Sequence, residues 1–122
     1  VISYTTIGTN DIERASAFYD DLLGLLAAKR AMSFPRGHVW GRDDGGAMFG
    51  VLTPFDGQPA TVGNGVMITL SCNAPEQVDA LHAKALALGG RDEGAPGLRF
   101  DGFYAAYCRD LDGNKLCFCK LG

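Results

Sequence analysis

The feature that most constrains this chain is that it runs through one order of elements twice. Residues 2–8, ISYTTIG, are rich in β-branched and aromatic side chains and read as a strand. Asn10, with Glu13 three residues on, offers a helix start, and Ile12, Ala15, Phe18, Tyr19, Leu22 and Leu23 recur at helical spacing before Gly24. Strand candidates follow at 26–34, 37–43 and 46–52, separated by turn residues at 35–37 and 43–46. The second half repeats the order. GVMITLSC at 65–72 is a strand, and Asn73-Ala74-Pro75-Glu76 opens a helix with the stripe Val78, Leu81, His82, Ala85, Leu86, ended by Gly89-Gly90. Strands are expected at 91–100, 103–109 and 115–121. Sliding the first half by 63 lays Asn10 on Asn73 and Leu23 on Leu86; towards the ends, Asp44-Gly45-Gly46 falls on Asp112-Gly113-Asn114 at an offset of 68. Two βαβββ copies of about 55 residues each are the simplest account.

The expected fold class is therefore α+β: tandem βαβββ modules forming a curled mixed sheet with a central cleft. One domain spans 1–122, with module one at about 2–52, a linker at about 53–64 carrying Pro54, Gly57, Pro59 and Gly63, and module two at about 65–122.

Composition removes several function classes. A formal charge of −3, with basic residues scattered singly or in pairs such as Lys29-Arg30, provides no phosphate-binding face, so no nucleic-acid partner is expected. No apolar run approaches the roughly 18 residues a membrane helix needs, and the opening residues show no signal-peptide pattern. A cytoplasmic protein is the resulting expectation. Cys72, Cys108, Cys117 and Cys119 then read as free thiols in a reducing compartment.

The tandem plan, the opening ISYTTIGTNDIERASAFYDDLLGL and the closing FYAAYCRDLDGNKLCF resemble the vicinal oxygen chelate superfamily, which includes glyoxalase I, extradiol dioxygenases, and bleomycin- and fosfomycin-resistance proteins. The most specific pieces are NDIERASAFYDDLLGL and DLDGNKL, where relatives usually carry DPDGN followed by Ile-Glu. The resemblance covers essentially the whole chain and implies two cup-shaped sheets facing one metal ion. It implies His or Gln ligands on the first strand of each module and Glu on the last, and commonly a homodimer. Here the first-strand positions fall on Tyr4 and Met67; the last-strand Glu falls on Cys117, with Phe49 as its mate at the 68-residue offset. These donors do not make a hard divalent-metal site, so no metal and no cofactor are expected.

The expectation that follows is a small-molecule-binding member without the usual ligands. Its cleft would be lined by Tyr4, Thr6, Trp40, Phe49, Met67, Thr69, Tyr104, Cys117 and Cys119, suited to a mostly apolar or aromatic ligand. Strand alternation lets only one of Tyr104 and Tyr107 face the cleft. Arg42 and Arg99 are candidate anchors should the ligand be an anion. An alternative is a metal-independent glyoxalase-like lyase or isomerase using His38, Tyr4 or a cysteine; His38 is its weak catalytic candidate. A third reading is a soft-metal or thiol-reactive binder through Cys117 and Cys119, although free Cys more often simply fills space. His82, inside a helical apolar stripe, reads as a packed, hydrogen-bonded residue.

Overall fold

The first strand, β1, covers Tyr4–Gly8 and leads into helix α1, Ile12–Gly24. Three strands complete the first unit: β2 Lys29–Phe34, β3 Gly37–Gly41 and β4 Met48–Leu52. The second unit repeats the order with β5 Ile68–Ser71, α2 Pro75–Ala87, β6 Arg91–Phe100, β7 Phe103–Arg109 and β8 Lys115–Leu121. The computed structural model describes residues 1–122 and divides them into two compact units, 1–62 and 63–122. Each unit is a four-stranded mixed sheet, ordered β1-β4-β3-β2 in the first and β5-β8-β7-β6 in the second. In both, the first strand runs parallel to the last and the remaining pairs are antiparallel. The tandem βαβββ plan is thus present, built as two open sheets.

In the first unit, α1 is capped by Asp11, whose side chain accepts from the Arg14 N–H, satisfying one of the donors a helix start leaves free. Asn10, the expected cap, does something else: its amide exchanges hydrogen bonds with the Ala60 backbone, Nδ2 to Ala60 O at 3.2 Å and Ala60 N to Oδ1 at 2.6 Å. It ties the segment after β4 back to the start of the helix.

The buried face of α1 sets Tyr19 against Phe49 (ring centroids 5.1 Å apart) and Trp40 (6.0 Å). Trp40 Nε1 donates to Asp20 Oδ1 at 2.9 Å, so this large ring buries its area and satisfies its one donor on the helix itself. Alternation then puts Val39 and Gly50 on the opposite face, where the first Cβ position of Gly50 would meet Thr6 and Val39 side chains at 3.1 and 3.2 Å.

In the second unit, Pro75 starts α2, its fixed φ and missing N–H suiting the first helical position. Val78, Leu81, His82 and Ala85 are buried along it. His82 Nε2 lies 2.9 Å from Asp92 Oδ1, which also accepts from the Gly94 N–H where β6 shifts register. Tyr104 Oη donates to Asp79 on α2 at 2.6 Å, which marks the 104, 106, 108 side of β7 as the helix side. Phe118 and Leu116, opposite Ala106 and Cys108, complete that core.

The β7–β8 connection, DLDGN, closes on itself. Asp110 Oδ1 accepts from the backbone N–H of Asp112 and of Asn114, both at 2.9 Å, while Asn114 Nδ2 donates to Asp110 Oδ2 at 3.0 Å. Gly113 takes φ +90, the left-handed conformation that a side chain resists. The turn fixes the register that carries Cys117 and Cys119 to the face away from α2.

Candidate functional site

Each sheet has a side without a helix, and these helix-free faces gather some of the expected lining residues and not others. In the first unit, Tyr4 and Thr6 lie there, with Thr6 paired to Gly50 across β1–β4. Trp40 and Phe49 do not. Both point to α1, because Tyr19 and Asp20 offer the aromatic contact and hydrogen bond that bury them. The error at Phe49 is one of register. The strand pairs Thr6↔Gly50 and Thr69↔Cys117 make Gly50 the mate of Cys117, an offset of 67 on the last strand against 68 at the turn. A one-residue slip exchanges the two faces of a strand.

In the second unit, Thr69, Cys117 and Cys119 share the helix-free face. Met67 sits one residue before β5 and is exposed. Tyr104 belongs to the helix side, so Tyr107 is the tyrosine of this face. Ala105, Cys117 and Cys119 form its buried floor, with Phe103 and Tyr107 packed against them. Arg99 from β6 lies 5.3 Å and Lys115 from β8 5.5 Å from the Tyr107 ring centre. Arg99 is one of the two arginines expected as anchors for an anion, whereas Lys115 carries no sequence signal for this face. Arg42, the other expected anchor, is taken up by Asp44 at 3.0 Å.

Burial sets the chemistry of the thiols. It pushes the Cys117 thiol up, with the neighbouring Cys119 adding to the effect, while the hydroxyls of Thr69 and Tyr107 and the charge of Arg99 pull the other way. Cys119 is raised by burial alone, and burial lifts Cys72 to about 11 and Cys108 to about 12. At neutral pH all four stay protonated, the form that neither attacks electrophiles nor binds metal well. All four are free.

His38 lies on the helix side of the first unit. Its Nδ1 shares a hydrogen bond with Ser33 Oγ at 2.8 Å, and Nε2 is 3.4 Å from Arg30 Nη1. Arg30 in turn makes a two-pronged pair with Asp20, at 3.0 and 2.7 Å. Burial first, and then the Arg30 charge, lower the His38 pKa against the opposing pull of Asp20. His38 is therefore part of a structural bracket joining α1 to β2 and β3, which sequence spacing could not foresee.

The donor chemistry decides how these faces treat a metal. The paired first- and last-strand positions are Thr6 with Gly50 and Thr69 with Cys117, flanked by Tyr4 and Met67. No carboxylate or imidazole is among them, and Glu93, at the edge of the second sheet, is paired with Arg109 at 2.9 Å. Nowhere in the chain do three His, Cys, Asp or Glu side chains come together as a metal-holding group. These residues do not fit a hard divalent ion.

Residues 1–118 match the family model described as Glyoxalase/Bleomycin resistance protein/Dioxygenase superfamily. The chain belongs to this superfamily. Among solved structures, a glyoxalase/bleomycin resistance protein from Albidiferax ferrireducens T118 shares 41% identity, with a TM-score of 0.89 over 97% of this chain and 96% of that one. A hypothetical protein from S. aureus shares 25% identity with a TM-score of 0.70, covering 98% of this chain and 96% of its own. A lactoylglutathione lyase from Agrobacterium tumefaciens, at 20% identity and a TM-score of 0.71 over 98% and 92%, is similar in fold alone. No curated protein matches the chain. In this chain Gly50 and Cys117 occupy the last-strand positions, facing Thr6 and Thr69, where the sequence resemblance implies carboxylates.

Proposed function

We propose that this superfamily member binds a small, mostly apolar or aromatic molecule on a helix-free sheet face, without the metal centre that the resemblance implies. The observation that carries the reading is the replacement of the implied donors by Gly50 and Cys117, each beside a threonine, on faces that also present Tyr4 in one unit and Tyr107 in the other. Such a surface provides apolar and aromatic area with a few hydroxyls to orient a ligand, the usual make-up of a small-molecule site. The rival lyase or isomerase reading requires an acid or base beside the reacting atom. Its weak candidate, His38, is engaged by Ser33 and Arg30 on the other side of its sheet. The thiol-binder reading is weakened by the burial that keeps Cys117 and Cys119 protonated.

A homodimer and a cytoplasmic setting belong to the same proposal. Exposed Phe34, Phe55, Leu98 and Phe100 offer apolar area to a second copy, and four unbridged cysteines suit a reducing compartment. No helix is long and apolar enough to cross a membrane.

A thermal-shift screen of aromatic metabolites, followed by amide-resolved NMR titration of the best hit, tests the binding. A ligand of the native state raises the melting temperature, and the account expects the shifted amides to cluster on β5, β7 and β8 around Thr69, Tyr107 and Cys117. Perturbations confined to the helices, or a broad panel that moves nothing, would remove the proposal.

A further inference from the structure

The helix-free face of the second sheet carries a feature that an apolar pocket does not need: two cations, Arg99 and Lys115, that make no direct ion pair. The chain's ion pairs engage other basic residues, and neither Arg99 nor Lys115 is among them. Arg109 on this side pairs with Glu93 at 2.9 Å, and the Glu93 carboxylate also feels the Lys115 charge, so this one acid faces three cations, Arg99, Arg109 and Lys115, in a chain whose formal charge is −3.

Arg99 is also held in place. Its Nη1 donates to Gly97 O at 3.1 Å and its Nη2 to Ala95 O at 2.6 Å, both on its own strand. A guanidinium has five N–H donors, so most of its fork stays available. Gly94 leaves the room this requires: a Cβ there would stand 2.9 Å from Tyr107 Cδ2 and 3.3 Å from Arg99 Nη2. An arginine anchored by two carbonyls and resting on an aromatic ring has lost its rotamer freedom before any ligand arrives, which favours binding. Two like charges brought to one tyrosine repel each other, and an anion relieves that repulsion.

We propose that Arg99, Tyr107 and Lys115 form an anion-anchoring subsite, and that the ligand of this face is a small aromatic carboxylate. The inference rests on the binding reading above and narrows it from apolar or aromatic molecules to organic acids. The carboxylate takes charge-assisted hydrogen bonds from Arg99 and Lys115, and the aromatic body lies along the Tyr107 side of the sheet.

Benzoate and its neutral isostere benzamide are the probes, titrated into isotopically labelled full-length protein and followed by NMR. Benzoate is expected to shift the Arg99, Tyr107 and Lys115 amides and to bind about tenfold more tightly than benzamide, a difference of about 1.4 kcal/mol. Arg99→Gln and Lys115→Gln are each expected to weaken benzoate several-fold while leaving the melting temperature near that of the parent, because Arg99 is exposed and Lys115 half-buried. Benzoate binding is also expected to weaken with added salt. Equal affinity for benzamide and benzoate on this face would overturn the anion subsite and leave the binding proposal standing. Undiminished benzoate binding in both variants would overturn it too. If neither probe perturbs β6–β8, the anion subsite is overturned on its own and the binding proposal passes to the wider screen.

Discussion

Ala27 is the only residue other than glycine with a positive φ, at 60°, and it closes the end of α1 through hydrogen bonds from its own N–H to Gly24 O and from Ala28 N–H to Leu23 O. A left-handed backbone costs a residue with a Cβ roughly 1–2 kcal/mol. Glycine would remove that cost but loses about 0.5–1 kcal/mol more chain freedom on folding. Ala27→Gly is therefore expected to stabilise the protein by about 0.5–1 kcal/mol, read as a higher urea midpoint at unchanged slope; a lower midpoint would contradict this. Single residues were also where sequence reading was weakest. Tyr4 and Cys117 are expected in the cleft from the family resemblance, and Thr6, Thr69 and Cys119 by strand alternation; all five lie on helix-free sheet faces. Trp40, Phe49 and Tyr104 went to the wrong face, each because of a partner on a helix: Asp20, Tyr19 and Asp79. Those partners lie 20 to 30 residues away, beyond the reach of a local pattern.

At the scale of elements, the DLDGN turn is the clearest link between sequence and site. Asp110 is buried and its carboxylate holds two backbone N–H groups and the Asn114 amide, so the turn that sets the β8 register depends on one side chain. Asp110→Ala is expected to cost about 2–3 kcal/mol, the range for losing hydrogen bonds to a buried charged group. Asp110→Asn, which keeps an acceptor, should lose about half of that. Chemical denaturation of both variants reads the difference, and an alanine variant within about 0.5 kcal/mol of the parent would show that the turn holds itself without Asp110. Both helices and all eight strands were legible from periodicity and turn residues. Their ends were not: the first helix is capped by Asp11 instead of Asn10, since Asn10 is drawn into the clasp with Ala60, fifty positions on. Likewise β2 starts at Lys29, after the left-handed Ala27 has closed the helix, instead of at 26.

For the whole molecule, the repeat was the strongest signal, since an order of elements used twice points to two like units whatever their packing details. The same repeat located the first- and last-strand positions and so exposed the mismatch with a metal centre. It failed only where the two loops differ by a residue, moving the last-strand position from Phe49 to Gly50; neither side chain can donate to a metal, so the conclusion survives the correction. What stayed illegible was the conjunction of Arg99, a candidate anion anchor, with Lys115, because the two lie 16 positions apart in sequence and approach Tyr107 only through strand pairing. The central claim is that the helix-free faces bind a small molecule and not a hard metal ion. The measurement that tests it most directly is elemental analysis of the full-length protein, purified without chelator and then dialysed against nickel, zinc, manganese and ferrous iron in turn. The account predicts far less than one equivalent of any of these ions per chain. One equivalent, lost when Cys117 or Thr69 is replaced by alanine, would contradict it.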